Sequence, residues 1–124
     1  MVNNLYTKQE CFDIAYLGCA GQGFTQSVTT SDTKSCLYRS PDGKKCAAGH
    51  ILPDDEFDKL PPNLNYAKVY NIPWFAKNFD IDMMLFLREL QYCHDNGFTP
   101  ETMQQKFVAW AAWVGLVVPE LPNE

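Results

Sequence analysis

The chain has 124 residues and a formal charge of −5, with 46% hydrophobic, 14% aromatic and 20% charged residues. That length suits one domain with a single core, and the composition excludes a disordered chain. The acidic balance argues against a general nucleic-acid binder, which needs a basic face to displace counterions. No segment approaches the roughly 20 apolar residues of a membrane span.

Thr7 and Glu10 form a capping-box pattern and predict a helix over 8–20. Cys11, Ile14, Ala15 and Gly18 share one face of it, and Gly21 and Gly23 stop it. Residues 25–35 are rich in hydroxyls and read as a loop. Cys36 to Arg39 and Lys44 to Ala47 then flank Ser40-Pro41-Asp42-Gly43. Proline presets φ at the second turn position and glycine closes the turn, which predicts a short β-hairpin. Such a hairpin is marginal alone and must pack on the helices.

Pro53 followed by Asp54, Asp55 and Glu56 predicts a brief helical turn. Pro61 and Pro62 break it. Residues 64–79 crowd together Tyr66, Val69, Tyr70, Trp74, Phe75 and Phe79, and Pro73 divides them into two short turns or helices. A second long helix starts at Asp80 or Asp82 and ends at Asn96-Gly97. Ile81, Met84, Leu85, Phe86, Leu87 and Leu90 give it a wide apolar band, with Arg88, Glu89, Gln91 and Asp95 facing out. Thr99-Pro100-Glu101 opens a third helix, whose Met103, Phe107, Trp110, Ala111 and Val114 form one stripe before Gly115. The sum is a helix-dominated α+β fold: one domain over 1–124, three main helices and one short β-hairpin.

Five cysteines, Cys11, Cys19, Cys36, Cys46 and Cys93, with no signal-peptide pattern at the start, point to free thiols in a reducing compartment such as the cytoplasm. Cys36, Cys46 and His50 are a weak candidate metal set, completed by Cys93 or His94. No Cys-x-x-Cys pair supports it, and buried thiols that pack as small apolar groups explain the same residues. Cys46 near His50, or Cys93 beside His94, offers a weak thiol nucleophile. His50 with Asp54, Asp55 and Glu56 fits a divalent ion less well than it fits a helix start. Gly21-Gln22-Gly23 follows a helix, whereas a phosphate loop precedes one.

Two binding candidates remain. Arg39 and Asp42 either anchor an external carboxylate or phosphate, or lock the hairpin internally. Tyr66, Tyr70, Trp74 and Phe75 either fill the core or form a partner surface, since interface anchors are typically Trp, Tyr and Arg. No cofactor pattern is present.

The string Tyr38-Arg39-Ser40-Pro41-Asp42-Gly43-Lys44-Lys45-Cys46-Ala47, continuing to Pro53-Asp54, resembles a family of small, functionally unassigned proteins of tailed bacteriophages, prophages and bacteria. Gln22 and Ser27 match an upstream Gln-Gly…Ser-Val element of that pattern, and Leu87, Leu90, Gln91 and His94-Asp95 match a later one. This chain carries Ser40 where the pattern has glycine, and a long aromatic insert at 60–80. The resemblance implies a phage-type accessory protein in a bacterial cytoplasm. The resulting expectation is a non-enzymatic protein that binds and modulates a host or phage protein. The alternative is a small-ligand- or metal-binding protein, or a small hydrolase, using residues 36–55.

Overall fold

The structure, a computed structural model, describes residues 4–28 and 36–121. Six α-helices follow in order among them: α1 (Lys8–Gly21), α2 (Ala47–Ile51), α3 (Asp54–Asp58), α4 (Pro73–Asn78), α5 (Ile81–Asp95) and α6 (Pro100–Val114). Single 3-10 turns lie at Pro62–Leu64 and Val69–Asn71.

The three long helices begin where their local chemistry says. Thr7 Oγ1 accepts from the Glu10 N–H at 3.1 Å, and Glu10 Oε1 accepts from the Thr7 N–H at 2.9 Å. Asp80 caps α5 through the Met83 N–H at 2.9 Å, and Thr99 caps α6 through the Thr102 N–H at 3.1 Å. Each bond satisfies an N–H that the helix itself cannot pair. Gly115 ends α6 at φ 82°, a conformation in which a Cβ would be strained.

α1 packs on α2 and α5, and α5 packs on α6. Phe12, Tyr16, Phe24 and Phe107 form one aromatic cluster, with Tyr16 and Phe107 edge to face at 5.9 Å. Trp74, Phe75 and Phe79 form a second, and Phe75 reaches Tyr38 at 6.4 Å. Met83, Leu87 and Leu90 of α5 are buried in the same core. Burial of each large side chain contributes roughly 1.5–3 kcal/mol of transfer free energy. α1 and α2 meet at Gly18, where a Cβ would stand 2.4 Å from the His50 ring. In α6, Met103, Phe107 and Ala111 are buried and Trp110 is half-buried, but Val114 is exposed.

The expected β-hairpin does not form, so the α+β assignment gives way to a helical fold without strands among the described residues. The Ser40–Lys44 turn is present, with the Ser40 N–H donating to Lys44 O at 2.9 Å and the Gly43 N–H to Ser40 O at 3.0 Å. The flanking backbone is engaged elsewhere. Asn65 takes the N–H of Arg39 at 3.0 Å and returns a bond to its carbonyl at 2.9 Å. Gln22 takes the N–H and carbonyl of Lys45, at 3.1 and 2.6 Å. Ser27 Oγ donates to the carbonyl of Leu37 at 2.7 Å and lies 3.1 Å from that of Lys44. A ladder needs those same groups. Cys46 also leaves the would-be second strand early by capping α2, its thiol accepting from the Gly49 N–H at 3.3 Å. The described part of the 25–35 loop closes one isolated bridge, Val28 to Cys36; positions 29–35 lie outside the described residues.

Candidate functional site

Arg39 and Asp42 do not act together. All three guanidinium nitrogens of Arg39 point into its own corner. They donate to the carbonyls of Tyr38, Gly49 and Leu52 at 3.0, 2.8 and 2.8 Å, and to Asp54 at 2.8 and 3.1 Å. The guanidinium also lies 4.9 Å over the Phe57 ring. Lys45 adds a second cation to Asp54 at 3.2 Å, and these two hold its carboxyl below the ordinary range. Asp42 is fully exposed; it accepts from Ser40 Oγ and pairs with Lys44 at 3.0 Å. The first is an internal lock and the second a turn residue.

His50 sits against Gly18 with its Nε2 buried and unpartnered. Burial, then the charges of Lys45 and Arg39, lower its pKa to about 4. It does not join the cysteines. Cys36 gathers instead with His94 and Asp95, whose donor atoms all lie within 4.8 Å of one another. That trio has the composition of a metal site but the wrong proton arrangement. His94 Nε2 accepts the Ser27 N–H at 2.9 Å, so the other nitrogen carries the proton. Nδ1–H then donates to Asp95 at 2.9 Å and has no lone pair for a metal. A ligating histidine shows the reverse, with its second nitrogen donating.

The trio cannot supply a nucleophile either. Burial, then the Asp95 charge and the hydrogen bond to it, raise the Cys36 pKa far above its usual value. Burial and the same charge raise Cys46. Both thiols therefore stay protonated, and a protonated thiol is a poor nucleophile.

Cys36, Cys46 and Asp95 instead line a cavity of about 550 Å³ between the 36–38 segment, the 66–69 turn and α5. Tyr38 and Cys46 are its buried lining residues, and Cys36, Gln91 and Asp95 are half-buried ones. Tyr66, Lys68, Arg88, Glu89 and Tyr92 are exposed and stand around its mouth. A shallower groove of about 460 Å³ runs between α5 and α6, lined by Cys93, Lys106, Trp110 and Trp113. Glu89 and Tyr92 belong to both depressions. Tyr92 is 66% exposed, with Tyr66 at 63% and Trp113 at 86%.

The aromatic segment divides accordingly. Phe75 is fully buried, and Trp74 is half-buried against Phe75 and Phe79 at 5.2 and 5.9 Å. Tyr66 and Tyr70 are exposed, and of the two only Tyr66 reaches the cavity. Gln91 and Asp95 of α5 turn inward rather than out. Gln91 Oε1 accepts the Ala48 N–H at 2.7 Å, and its Nε2 donates to Asp95 at 2.7 Å. Gln26 reaches the carbonyls of His94 and Asp95 from the 25–28 segment, at 3.3 and 3.0 Å.

Gln22 ties α1 to Lys45, Ser27 ties the 25–28 segment to His94 of α5, and Gln91 ties α5 to Ala48 of α2. Sequence reasoning missed Tyr92 and Trp113 as surface residues. A signal was there: Tyr92 follows Arg88 and Glu89 on the polar side of α5, and Trp113 falls between Ala111 and Val114, off the Met103–Phe107–Ala111 stripe. No helix among the described residues is long and apolar enough to cross a membrane. No family model, curated protein or solved structure matches the chain.

Proposed function

We propose that the chain is a small non-enzymatic accessory protein that binds another protein, phage- or host-encoded, in a bacterial cytoplasm and modulates it. One observation carries this: the exposed Tyr92 ring separates two adjoining depressions, with Tyr66 at the far side of one and Trp113 in the other. Interface energy concentrates in Trp, Tyr and Arg residues seated beside pockets. Arg88 stands at the same rim. The contact surface proposed from the structure thus moves from Trp74 and Phe75, which pack inward, to Tyr66, Tyr92 and Trp113.

A photo-crosslinking residue placed at Tyr92, at Trp113 and at exposed Asp58 on α3 tests this in bacterial cells. One discrete adduct shared by positions 92 and 113 and lacking at 58 is expected. Equal adducts at all three positions, or none at 92 and 113, would refute the surface.

A second role, binding a small ligand, has the cavity volume in its favour, since ligand pockets run to several hundred Å³. Native mass spectrometry of protein taken from cells decides it: a retained stoichiometric mass supports the ligand.

A further inference from the structure

We propose that the cavity beside α5 accepts a basic side chain, Arg or Lys, from the bound protein, with its charge meeting Asp95 and its stem lying along the apolar wall. This rests on the protein-binding role above and names the chemistry of the partner's anchor. The starting observation is the unbalanced charge of Asp95. Among the described residues its hydrogen-bond donors are the Gln91 amide at 2.7 Å and the His94 Nδ1–H at 2.9 Å, and the Cys36 sulfur lies within 4.8 Å. None brings a positive charge, because the Ser27 N–H holds His94 Nε2 as an acceptor. Among the described residues no Lys or Arg stands within ion-pair distance of Asp95. The carboxylate is only about one-third exposed.

A partly buried carboxylate fixed by neutral donors leaves most of its attraction for a cation unspent, and low local dielectric strengthens it. Burial first, and the Asp95 carboxylate after it, raise Cys36, Tyr38 and Cys46, three groups that line the cavity. Lys68, Arg88 and Glu89 also face the opening, but all three are exposed at its mouth, where water and salt screen them.

The walls match the rest of a basic side chain. Leu37, Ala67 and Val69 line the cavity and suit a methylene stem. Tyr66 and Tyr92 at the rim offer ring faces to a guanidinium or ammonium. The volume of about 550 Å³ holds a whole side chain with its flanking backbone at the mouth. The chain's net charge of −5 favours the approach of a basic surface.

The full chain titrated with N-acetyl-argininamide, and with its neutral isostere N-acetyl-citrullinamide, tests this by two-dimensional NMR. The Gln91 side-chain amide and the rings of Tyr66 and Tyr92 are the reporters. Saturable shifts are expected with the arginine probe, at an affinity roughly tenfold above the citrulline probe. Asp95→Asn removes that preference. Because Asp95 also holds His94 and Gln91, Tyr92→Ala serves as a second variant: its ring is exposed, so an unchanged melting curve is expected together with a severalfold weaker arginine probe. Equal binding of the two probes overturns the cation pocket while leaving the crosslinking surface intact. Failure of the arginine probe to shift these reporters overturns it as well. Loss of the Tyr92 adduct in cells would instead remove the protein-binding role beneath it.

Discussion

The corner around Arg39 and the cavity beside Asp95 adjoin along the chain at Tyr38, and each is organised around one charge. Arg39 meets three backbone carbonyls and a carboxylate, and nothing of its hydrogen-bonding capacity is left over. Among the described residues Asp95 meets an amide and an imidazole N–H, with the Cys36 sulfur close by, and these orient it without neutralising it. The fields differ in sign. Burial is the larger cause of all three shifts; beyond it, Lys45 and Arg39 push His50 down in pKa, while Asp95 pushes Cys36 and Cys46 up. A charge whose partners are all internal builds structure. A charge held by neutral donors at a cavity keeps its capacity for something from outside.

The largest expected effect comes from breaking the filled side. Arg39→Met leaves the carbonyls of Gly49 and Leu52 unpaired in buried positions, and about 3 kcal/mol of unfolding free energy should be lost in urea titration. A loss below about 1 kcal/mol would show that the corner holds itself without the guanidinium.

Acid should attack the same corner. His50 titrates near 4 when folded, against an ordinary 6.5. Between these values the unfolded chain binds more protons, so stability is full above pH 6.5 and falls as pH drops toward 4. The drop reaches at most about 3 kcal/mol, and His50→Leu should flatten it. An unchanged pH profile in that variant would assign the acid sensitivity elsewhere.

Gly18→Ala drives a methyl into the His50 ring and should cost roughly 1–3 kcal/mol. In a His50→Ala background the penalty should largely vanish; additive losses in the double mutant would contradict the contact. Asp95→Asn is the mildest change, near 1 kcal/mol, because an amide oxygen can still accept from His94. A loss as large as that of Arg39→Met would erase the contrast between the two regions.

Much of the helical frame was legible because its signals are local. Thr7 with Glu10, Asp80, and Thr99 with Pro100 act within one turn, and each cap lies where its residue type implies. Pro73 divides the aromatic segment into a 3-10 turn and a helix, as proline at a first helical position should. The hairpin failed for the opposite reason. Its turn chemistry is present, but Gln22, Ser27 and Asn65, distant in sequence, take the backbone groups a ladder would use. No rule of spacing reports that competition.

The cavity was hidden by polarity. Gln91 and Asp95 read as solvent-facing, yet they continue the Leu87 position at intervals of four along α5, so they share its inward side. Arg39 was open between two roles in the sequence because a guanidinium suits an external anion and internal carbonyls equally well. Only the placement of Gly49, Leu52 and Asp54 around it decides.

The five thiols offer a use unrelated to binding. Burial raises Cys11, Cys19 and Cys93 to about 12, and Cys36 and Cys46 are raised further. They are distributed over α1, the 36–46 segment and α5. Alkylation of the four buried ones, Cys11, Cys19, Cys46 and Cys93, therefore waits for their neighbourhoods to open, so labelling times followed by mass become a clock for partial unfolding, read at four places without adding a single foreign group beforehand.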